Sequence, residues 1–211
     1  MESGFSQAWV GERLQWVLDN CSAGVDGLEA SFLGSEASYM RLAESAIIQA
    51  SDITRGRVSI RAVIGRQSAR ASTTDLSLPG LKDCVKRAVQ NARQTPAGED
   101  DIALPAPIAV APVRQALDLT TQALDSVTKQ AWLEPALAAH RADDLALAGR
   151  FHTGTATWAV HSTTGVQVYH QGSWADVAMS ALERPAGHHA SSCRTYFDSK
   201  IGRDQLNLLA E

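Results

Sequence analysis

Two adjacent histidines and a cysteine near the end of the chain have a spacing that could bind a metal ion. His188, His189 and Cys193 form the pattern H-H-x-x-x-C, and imidazole nitrogens and thiolate sulfurs are good zinc ligands. Zinc normally takes three or four protein ligands, however, and adjacent side chains on a strand point to opposite faces. Two interpretations therefore stay open, a metal site and an exposed loop with an incidental thiol. We assign no metal ligand to the chain.

The sequence lacks the usual motifs of hydrolases. None of its six histidines is followed by Glu, so the patterns H-E-x-x-H and H-E-x-x-x-H, which place two zinc-binding histidines on one helical face, do not occur. Ser72 and Asp75 could form a triad with a histidine, but no serine lies in a G-x-S-x-G elbow. We interpret His152, His161 and His170 as residues on the polar faces of strands. We predict no catalytic residue, and the substrate-binding residues stay unknown.

One short stretch of the chain is strongly basic. All of its arginines except Arg55 fall on two predicted strands, where alternate side chains share a face. We favour a solvated sheet face whose arginines pair with acidic neighbours, because runs of charge usually lie in solvent. The alternative is a surface that docks a partner or an acidic peptide. The stretch contains Arg55, Arg57, Arg61, Arg66 and Arg70.

Composition indicates a folded protein that binds neither nucleic acid nor membrane. The 211 residues are 45% hydrophobic and carry a net charge of only −4, so no broad basic surface for nucleic acid is indicated. No apolar run reaches membrane-spanning length, and the start of the chain lacks the basic region of a signal peptide. We expect a cytoplasmic location. Cys21, Cys84 and Cys193 are odd in number and widely spaced, which favours reduced thiols over a disulfide framework.

The first half of the sequence alternates between helical and strand patterns. Apolar residues recur at helical spacing from Phe5 to Asp19, and again in a helix that Ser77 caps and that runs to about Gln94. Pro79 falls in the first turn of that helix, where its missing N–H costs nothing. Gly65 allows a tight reversal between two strands. The predicted four-strand meander has strands at about 28–33, 39–50, 57–64 and 66–72, separated by turn residues at 34–35 and 52–56.

The boundary between two subdomains is predicted within an exposed connection at Thr95–Asp101, which gives domains at 1–98 and 99–211. Pro112 is predicted to start a helix whose apolar stripe runs from Val113 to Ala123 and on to Val127. Ser162–Gly165 has the residue types of a hairpin turn. The remaining predicted elements are a helix at 132–142, strands at 144–151, 154–161 and 166–182, a closing turn at 183–187, and the start of a helix at 201–209.

Four blocks of this sequence, in this order, resemble the N-terminal region of the TldD/PmbA (TldE) family of zinc metallopeptidases, also known as modulators of DNA gyrase. The resemblance covers about Leu28 to Ala181. It implies an α+β fold with helices packed on antiparallel β meanders in two subdomains. The blocks are Y-M-R-L-A-E-S-A-I-I-Q from Tyr39, V-S-I-R-A-V-I-G from Val58, A-S-T-T-D-L-S from Ala71, and H-T-G-T-A-T-W-A-V-H-S-T-T-G-V-Q-V-Y-H from His152.

The resemblance also implies a function that this chain would perform with others. In the family, hydrolysis depends on a zinc ion bound by an H-E-x-x-x-H helix in the C-terminal half, so zinc is expected on a partner chain or on a missing C-terminal half. The implied partners are a TldD-type subunit or a second copy of this chain, and an unfolded peptide that enters as an extended strand. We expect the N-terminal part of a peptidase that shapes a peptide-accepting chamber. The alternative is a non-enzymatic scaffold or regulatory module of the same fold.

Overall fold

The computed structural model describes residues 4–111, 113, 115–142, 145–183 and 191–205. Six strands form one sheet in the order β3-β2-β1-β4-β5-β6, with helices beside it, which confirms the predicted α+β class. Among the described residues, no helix combines the length and the apolarity needed to span a membrane. The elements are α1 (Gln7–Cys21), β1 (Gly27–Ala43), β2 (Ala46–Ile64), β3 (Gln67–Thr73), α2 (Leu78–Gln94), α3 (Leu119–Gln122), α4 (Ser126–Ala142), β4 (Leu145–Ser162), β5 (Gln167–Glu183) and β6 (Ser191–Asp198).

The strands before α2 are longer and fewer than the sequence predicted. The structure has three strands there instead of four, and the predicted breaks at 34–35 and 52–56 lie inside β1 and β2. The chain instead reverses at Glu44 and Ser45, which both have positive φ. Gly34 does not mark a turn, because a Cβ added to it would lie 2.7 Å from the rings of Phe5 and Phe32. The glycine is needed there for close packing.

Two predicted strands of the second half are likewise one strand. β4 runs without interruption through the predicted gap at 152–153, and Gly154 lies inside it. The hairpin turn at Ser162–Gly165 is confirmed, because the N–H of Ser162 donates to the carbonyl of Val166 at 3.0 Å and Gly165 has a φ of 93°. The predicted closing turn lies almost entirely outside the described residues. Of the predicted last helix, residues 203–205 are helical, and the part beyond 205 also lies outside them.

The helix predicted to start at Pro112 is wrong. Pro112 itself lies outside the described residues, and the first helix after it is the single turn α3. Asp118 caps this turn by accepting the N–H of Thr121 at 2.7 Å, and the Asp125 side chain accepts the N–H of Thr128 at the start of α4. The two aspartates start separate helices. The apolar stripe predicted from Val113 to Val127 therefore does not form one buried helical face. Its member Val127 is 73% exposed. The helix predicted at 132–142 is confirmed as part of α4.

The helices α1 and α2 form where the sequence predicted them. Ser77 caps α2 by accepting the N–H of Gly80 at 3.2 Å, and Pro79 lies in the first turn. The apolar stripe of α2 is buried, with Leu81 and Ala88 both 0% exposed. Local capping and helical periodicity therefore agree with the packing of this element.

The cap of α2 gives a first prediction. Replacing Ser77 with alanine leaves the N–H of Gly80 without its side-chain acceptor, and such cap losses cost about 1 kcal/mol. We expect urea unfolding of the Ser77→Ala variant to show this loss in the free energy of unfolding. The Ser77→Thr variant keeps a hydroxyl at the cap and serves as the matched control. Equal losses in both variants would show that the hydroxyl does not cap the helix.

The packing of the chain divides it into two compact units, and each consists of three segments. The first unit is Met1–Gly34, Arg55–Pro112 and Thr157–Gln171, and the second is Ser35–Thr54, Val113–Ala156 and Gly172–Glu211. Four strands, β1, β2, β4 and β5, therefore contribute residues to both units. The division into domains at 1–98 and 99–211 stays a prediction.

Each unit has its own hydrophobic core. In the first unit, α1 and α2 bury their apolar faces with alternate residues of the strands. In the second unit, α4 does the same. Fully burying one such large aliphatic side chain contributes roughly 1.5–3 kcal/mol. The first core includes Val10, Leu14, Val17, Leu28, Phe32, Ile60, Leu81 and Cys84. The second includes Met40, Leu42, Leu133, Leu137, Phe151, Val177 and Met179.

Candidate functional site

The predicted metal cluster falls partly on described residues. Cys193 lies on β6 with an exposed side chain, whereas His188 and His189 lie outside the described residues. In the described ranges, no group of three or more His, Cys, Asp and Glu side chains could hold a metal ion. The described residues therefore offer no site for a zinc ion, which the resemblance places on a partner chain or on a missing C-terminal half. Cys21, Cys84 and Cys193 are all free thiols, as predicted.

The three histidines of β4 and β5 have different surroundings. The ring of His170 stacks on Trp158, with centroids 5.8 Å apart, and His152 is half-buried. The prediction of a polar-face position is wrong for His161, which is buried and only 9% exposed. Its neighbour on the same strand face, Ala159, belongs to the first core. Burial lowers the pKa of His152 and of His161, so both imidazoles are neutral at pH 7.

Ser72 and Asp75, the candidate triad residues, have structural contacts at the start of α2. The carbonyl of Ser72 accepts a hydrogen bond from Arg87 at 3.1 Å. The carboxylate of Asp75 accepts the N–H of Ser77 at 3.0 Å, and hydrogen bonds from Ser77 lower the pKa of Asp75. These contacts fix the turn that leads from β3 into α2. They give Asp75 a role in the fold and do not connect it with a nucleophile.

The basic stretch is part of a charged sheet surface. Arg61 on β2 lies directly opposite Arg70 on β3, and Arg70 makes an ion pair with Glu29 at 3.0 Å. Arg66 makes an ion pair with Asp101 at 3.4 Å. For Arg66 and Arg70, the predicted pairing with acidic neighbours is therefore confirmed. The Arg66–Asp101 pair is exposed on both sides and contributes little to stability. Both pairs leave less free positive charge for an acidic ligand.

The outer edge of β3 is closed by groups from outside the sheet. β3 lies at one end of the strand order, so one row of its backbone groups has no strand to pair with. Arg87 and Asn91 of α2 donate to the carbonyls of Ser72 and Arg70, at 3.1 and 3.4 Å. The N–H of Gly98 donates to the carbonyl of Arg66 at 3.0 Å. Three carbonyls along this edge are therefore occupied, which opposes the addition of another strand.

The other end of the strand order is β6. It pairs antiparallel with β5 from Ala175 opposite Asp198 to Leu182 opposite Ser191. No further strand within the described ranges pairs with its outer edge. Phe197 on this strand is 76% exposed. The β6 edge is thus the one where an extended peptide could add main-chain hydrogen bonds.

A cluster of aromatic and charged side chains in the second unit was missed by the sequence analysis. The ring of His152 makes edge-to-face contacts with Tyr39 and Trp174, at centroid distances of 5.2 and 4.4 Å. Arg150 donates two hydrogen bonds to the carboxylate of Asp176, at 2.9 and 3.2 Å. These five residues come from β1, β4 and β5, and alternation along β4 was the only local signal that placed Arg150 and His152 on one face.

Comparisons with known proteins identify chains that are similar to this one in sequence or in fold. Residues 28–92 match the family model described as PmbA/TldA metallopeptidase domain 1. This segment of the chain is similar to PmbA/TldA metallopeptidase domain 1. The matched segment comprises nearly all of β1, the whole of β2 and β3, and most of α2. No curated protein sequence matches the chain.

Solved structures extend the likeness beyond the PmbA/TldA domain 1 to nearly the whole chain. TldE from Thermococcus kodakarensis is 13% identical with a TM-score of 0.67, and the match covers 96% of this chain and 46% of that one. A proposed modulator of DNA gyrase from Thermotoga maritima is 15% identical with a TM-score of 0.64, covering 97% and 46%. A third, from Bacteroides thetaiotaomicron, is 14% identical with a TM-score of 0.69, covering 99% and 50%. The chain thus shares their fold and spans about half their length.

Proposed function

We propose that this chain is the N-terminal part of a PmbA/TldD-like metallopeptidase, where it shapes the peptide-accepting chamber and the contacts between subunits. One observation carries the proposal. The fold that contains the segment similar to PmbA/TldA domain 1 covers 96–99% of this chain but only 46–50% of three structures with the same fold. A chain that matches one half of a longer protein is best explained as the part that works with the other half.

The proposal assigns the chemistry of peptide hydrolysis to another chain or to further sequence. The sequence has no H-E-x-x-x-H motif, and the described residues hold no group of metal-binding side chains. The zinc is proposed to be held by a TldD-type partner subunit or by sequence equivalent to the second half of the relatives. The partner is such a subunit or a second copy of this chain, and the assembly acts in the cytoplasm.

We assign the contact with peptide to the outer edge of β6. An unfolded peptide can be held without regard to its sequence by main-chain hydrogen bonds to a strand edge. The β3 edge is unsuitable, because Arg87, Asn91 and Gly98 already occupy its carbonyls. The β6 edge is free of another strand within the described ranges and carries the exposed ring of Phe197.

A reconstitution experiment tests the proposal. The purified chain is mixed with a zinc-loaded TldD-type protein, and size-exclusion mass and the rate of cleavage of an unstructured fluorescent peptide are measured. We expect a complex heavier than either chain, and a cleavage rate that differs from that of the partner alone. The chain alone is expected to cleave no peptide. If the chain neither associates with the partner nor changes cleavage, it is not part of such a peptidase.

Proline substitutions in β6 locate the peptide within this assembly. Consecutive residues of a strand direct their N–H groups to opposite edges, so one of the variants Arg194→Pro and Thr195→Pro removes an outward N–H. We expect that variant to fold, to bind its partner and to bind peptide roughly fivefold more weakly, since about 1 kcal/mol is lost with one hydrogen bond. The other variant breaks pairing with β5 and is expected to be destabilised. Unchanged peptide affinity in the stable variant would exclude the β6 edge.

A further inference from the structure

The last strand of the sheet, β6, carries an aromatic side chain that is largely open to solvent. Phe197 is 76% exposed and lies directly opposite Asp176 of β5. On a sheet, a side chain makes its closest contacts with the residues opposite it on the two neighbouring strands. Among the described residues, β6 has such a neighbouring strand on one side only. The other side of the Phe197 ring is therefore open to the side chain of an added strand.

The two faces of β6 differ in charge. Tyr196 lies opposite Val177 and packs against the second core. Because successive side chains of a strand alternate between faces, Phe197 lies on the face away from that core, together with Thr195 and Cys193. These three residues are of uncharged types, and the charged residues of β6 are on the core-side face. Natural edge strands usually carry charges that oppose the addition of another strand. The Phe197 face of β6 lacks this protection.

A row of aromatic rings crosses the sheet toward Phe197. Tyr39 on β1, His152 on β4 and Trp174 on β5 make edge-to-face contacts in this order, at centroid distances of 5.2 and 4.4 Å. Trp174 precedes Asp176 by two residues, so it lies on the face of Phe197 and diagonally across from it. All of these residues belong to the second unit. An aromatic side chain on an added strand would continue the row beyond Phe197.

The charge next to Phe197 is already paired. The carboxylate of Asp176 accepts two hydrogen bonds from Arg150, at 2.9 and 3.2 Å. A bidentate pair of this kind fixes the geometry of both side chains. A charged side chain beside Phe197 would therefore lose hydration without gaining the charge of Asp176 as a partner. An apolar side chain gains, because it removes the exposed ring from water.

We propose that the β6 edge selects extended peptides that place an aromatic or β-branched side chain opposite Phe197. This inference rests on the proposed contact of peptide with the β6 edge, and it adds a side-chain preference to that contact. Main-chain hydrogen bonds hold any extended peptide alike, and the pockets and neighbours of its side chains give specificity. Pairs of an aromatic residue with an aromatic or β-branched residue are favoured over pairs with alanine. Phe197 is the residue that determines specificity at this edge.

Titration of the intact chain with matched peptides tests the preference. The peptides are short capped chains of alanine and serine that differ only in one central residue, which is Phe, Val, Ala or Asp. Saturable shifts of the β6 backbone amides in NMR spectra give the affinity and locate the peptide. We expect the Phe and Val peptides to bind roughly two- to fivefold more tightly than the Ala peptide. The Asp peptide is expected to bind no more tightly than the Ala peptide.

Variants of Phe197 connect the preference with this ring. In Phe197→Ala the Phe and Ala peptides are expected to bind equally, whereas Phe197→Tyr keeps an aromatic ring and should keep the preference. Because Phe197 is largely exposed, neither change removes a buried side chain, and the melting temperature checks the fold. Trp158→Ala is the matched control. It removes an aromatic side chain that is 46% exposed in the first unit, and it should retain the preference.

Several results would overturn the proposal. Equal binding of the Phe and Ala peptides by the wild type would leave the β6 edge as a peptide site without this preference. A preference that persists in Phe197→Ala would have its origin elsewhere, and tighter binding of the Asp peptide would show selection for acidic residues. If no peptide shifts the β6 amides, the contact at this edge is wrong and the preference with it. Association with a TldD-type partner is measured separately, so this failure is distinguishable from failure of the proposed assembly.

Discussion

Replacing Gly154 with alanine is expected to destabilise the second unit by about 3 kcal/mol or more, because there is no room for a methyl group in a close approach of two strands. A Cβ at this position would lie 2.5 Å from the carbonyl oxygen of Glu36 and 3.0 Å from the Cα of Ala37. Both are backbone atoms of β1 and cannot rotate away. The Trp174 ring, 2.9 Å from the same point, blocks the remaining direction.

Urea unfolding with the intrinsic tryptophan signal measures this effect. Gly98→Ala is the matched control, because a Cβ there would lie no nearer than 3.6 Å to another group, the carbonyl oxygen of Arg66. We expect the control to lie within about 0.5 kcal/mol of the wild-type free energy of unfolding. A Gly154→Ala variant as stable as the control would mean that β1 and β4 do not approach as closely as described.

Gly154 also shows why the sequence predicted too many strands. Glycine usually interrupts regular structure, so Gly34 and Gly154 were placed at or near strand ends. Both lie inside long strands, where a Cβ would collide with aromatic rings or with a neighbouring backbone. The same residue type serves turns and close approaches. Only the position of the neighbouring strand decides between them, and that position is not encoded locally.

The turn between β1 and β2 was not predicted, because it contains no glycine. Glu44 and Ser45 reverse the chain although neither is glycine, with φ values of 51° and 56°. Ser45 is fully buried, and its hydroxyl donates to the carbonyl of Leu145 at 3.0 Å and accepts the N–H of Leu147 at 2.9 Å. Bonds to residues a hundred positions away stabilise this conformation. A helix cap such as Ser77 forms its hydrogen bond with a residue close in sequence. For this reason the start of α2 could be predicted.

The candidate sites also depend partly on local sequence signals and partly on contacts with distant residues. The sequence indicated that the basic stretch would pair with acidic residues, but the partner Glu29 comes from another strand. The burial of His161 was missed because the histidine was interpreted by its polarity alone. Its parity along β4 carried the signal, since Phe151 and Ala159 lie on the same face and both are core residues. The alternation along β4 favours a buried His161, whereas its residue type favours an exposed one, and the prediction followed the residue type.

The free energy of unfolding is expected to rise by about 3 kcal/mol between pH 8 and pH 10.5 on account of Lys129 alone. This lysine of α4 is 0% exposed. Its Nζ atom donates to the carbonyl of Ser38 at 2.8 Å and lies 5.3 Å from the ring centroid of Phe151. Burial lowers the pKa of Lys129 from 10.5 to about 8, although Asp52 and Asp125 act in the opposite direction.

The direction of this effect follows from the protons bound in each state. Between pH 8 and pH 10.5 the unfolded chain keeps the proton on Lys129 while the folded chain has lost it, so stability increases with pH. Below pH 8 both states are protonated and the cost of the buried charge is constant. The thiols of Cys21 and Cys84 have raised pKa values and oppose the rise in stability.

The measured quantity is therefore the difference in the free energy of unfolding between wild type and Lys129→Met, each unfolded in urea from pH 7 to 10.5. In Lys129→Met the rise should disappear, whereas Lys86→Met, at an exposed position of α2, should retain it. A difference curve that stays flat over this range would show that Lys129 is not buried as a charge, and that the core around Phe151 admits water to its ammonium group.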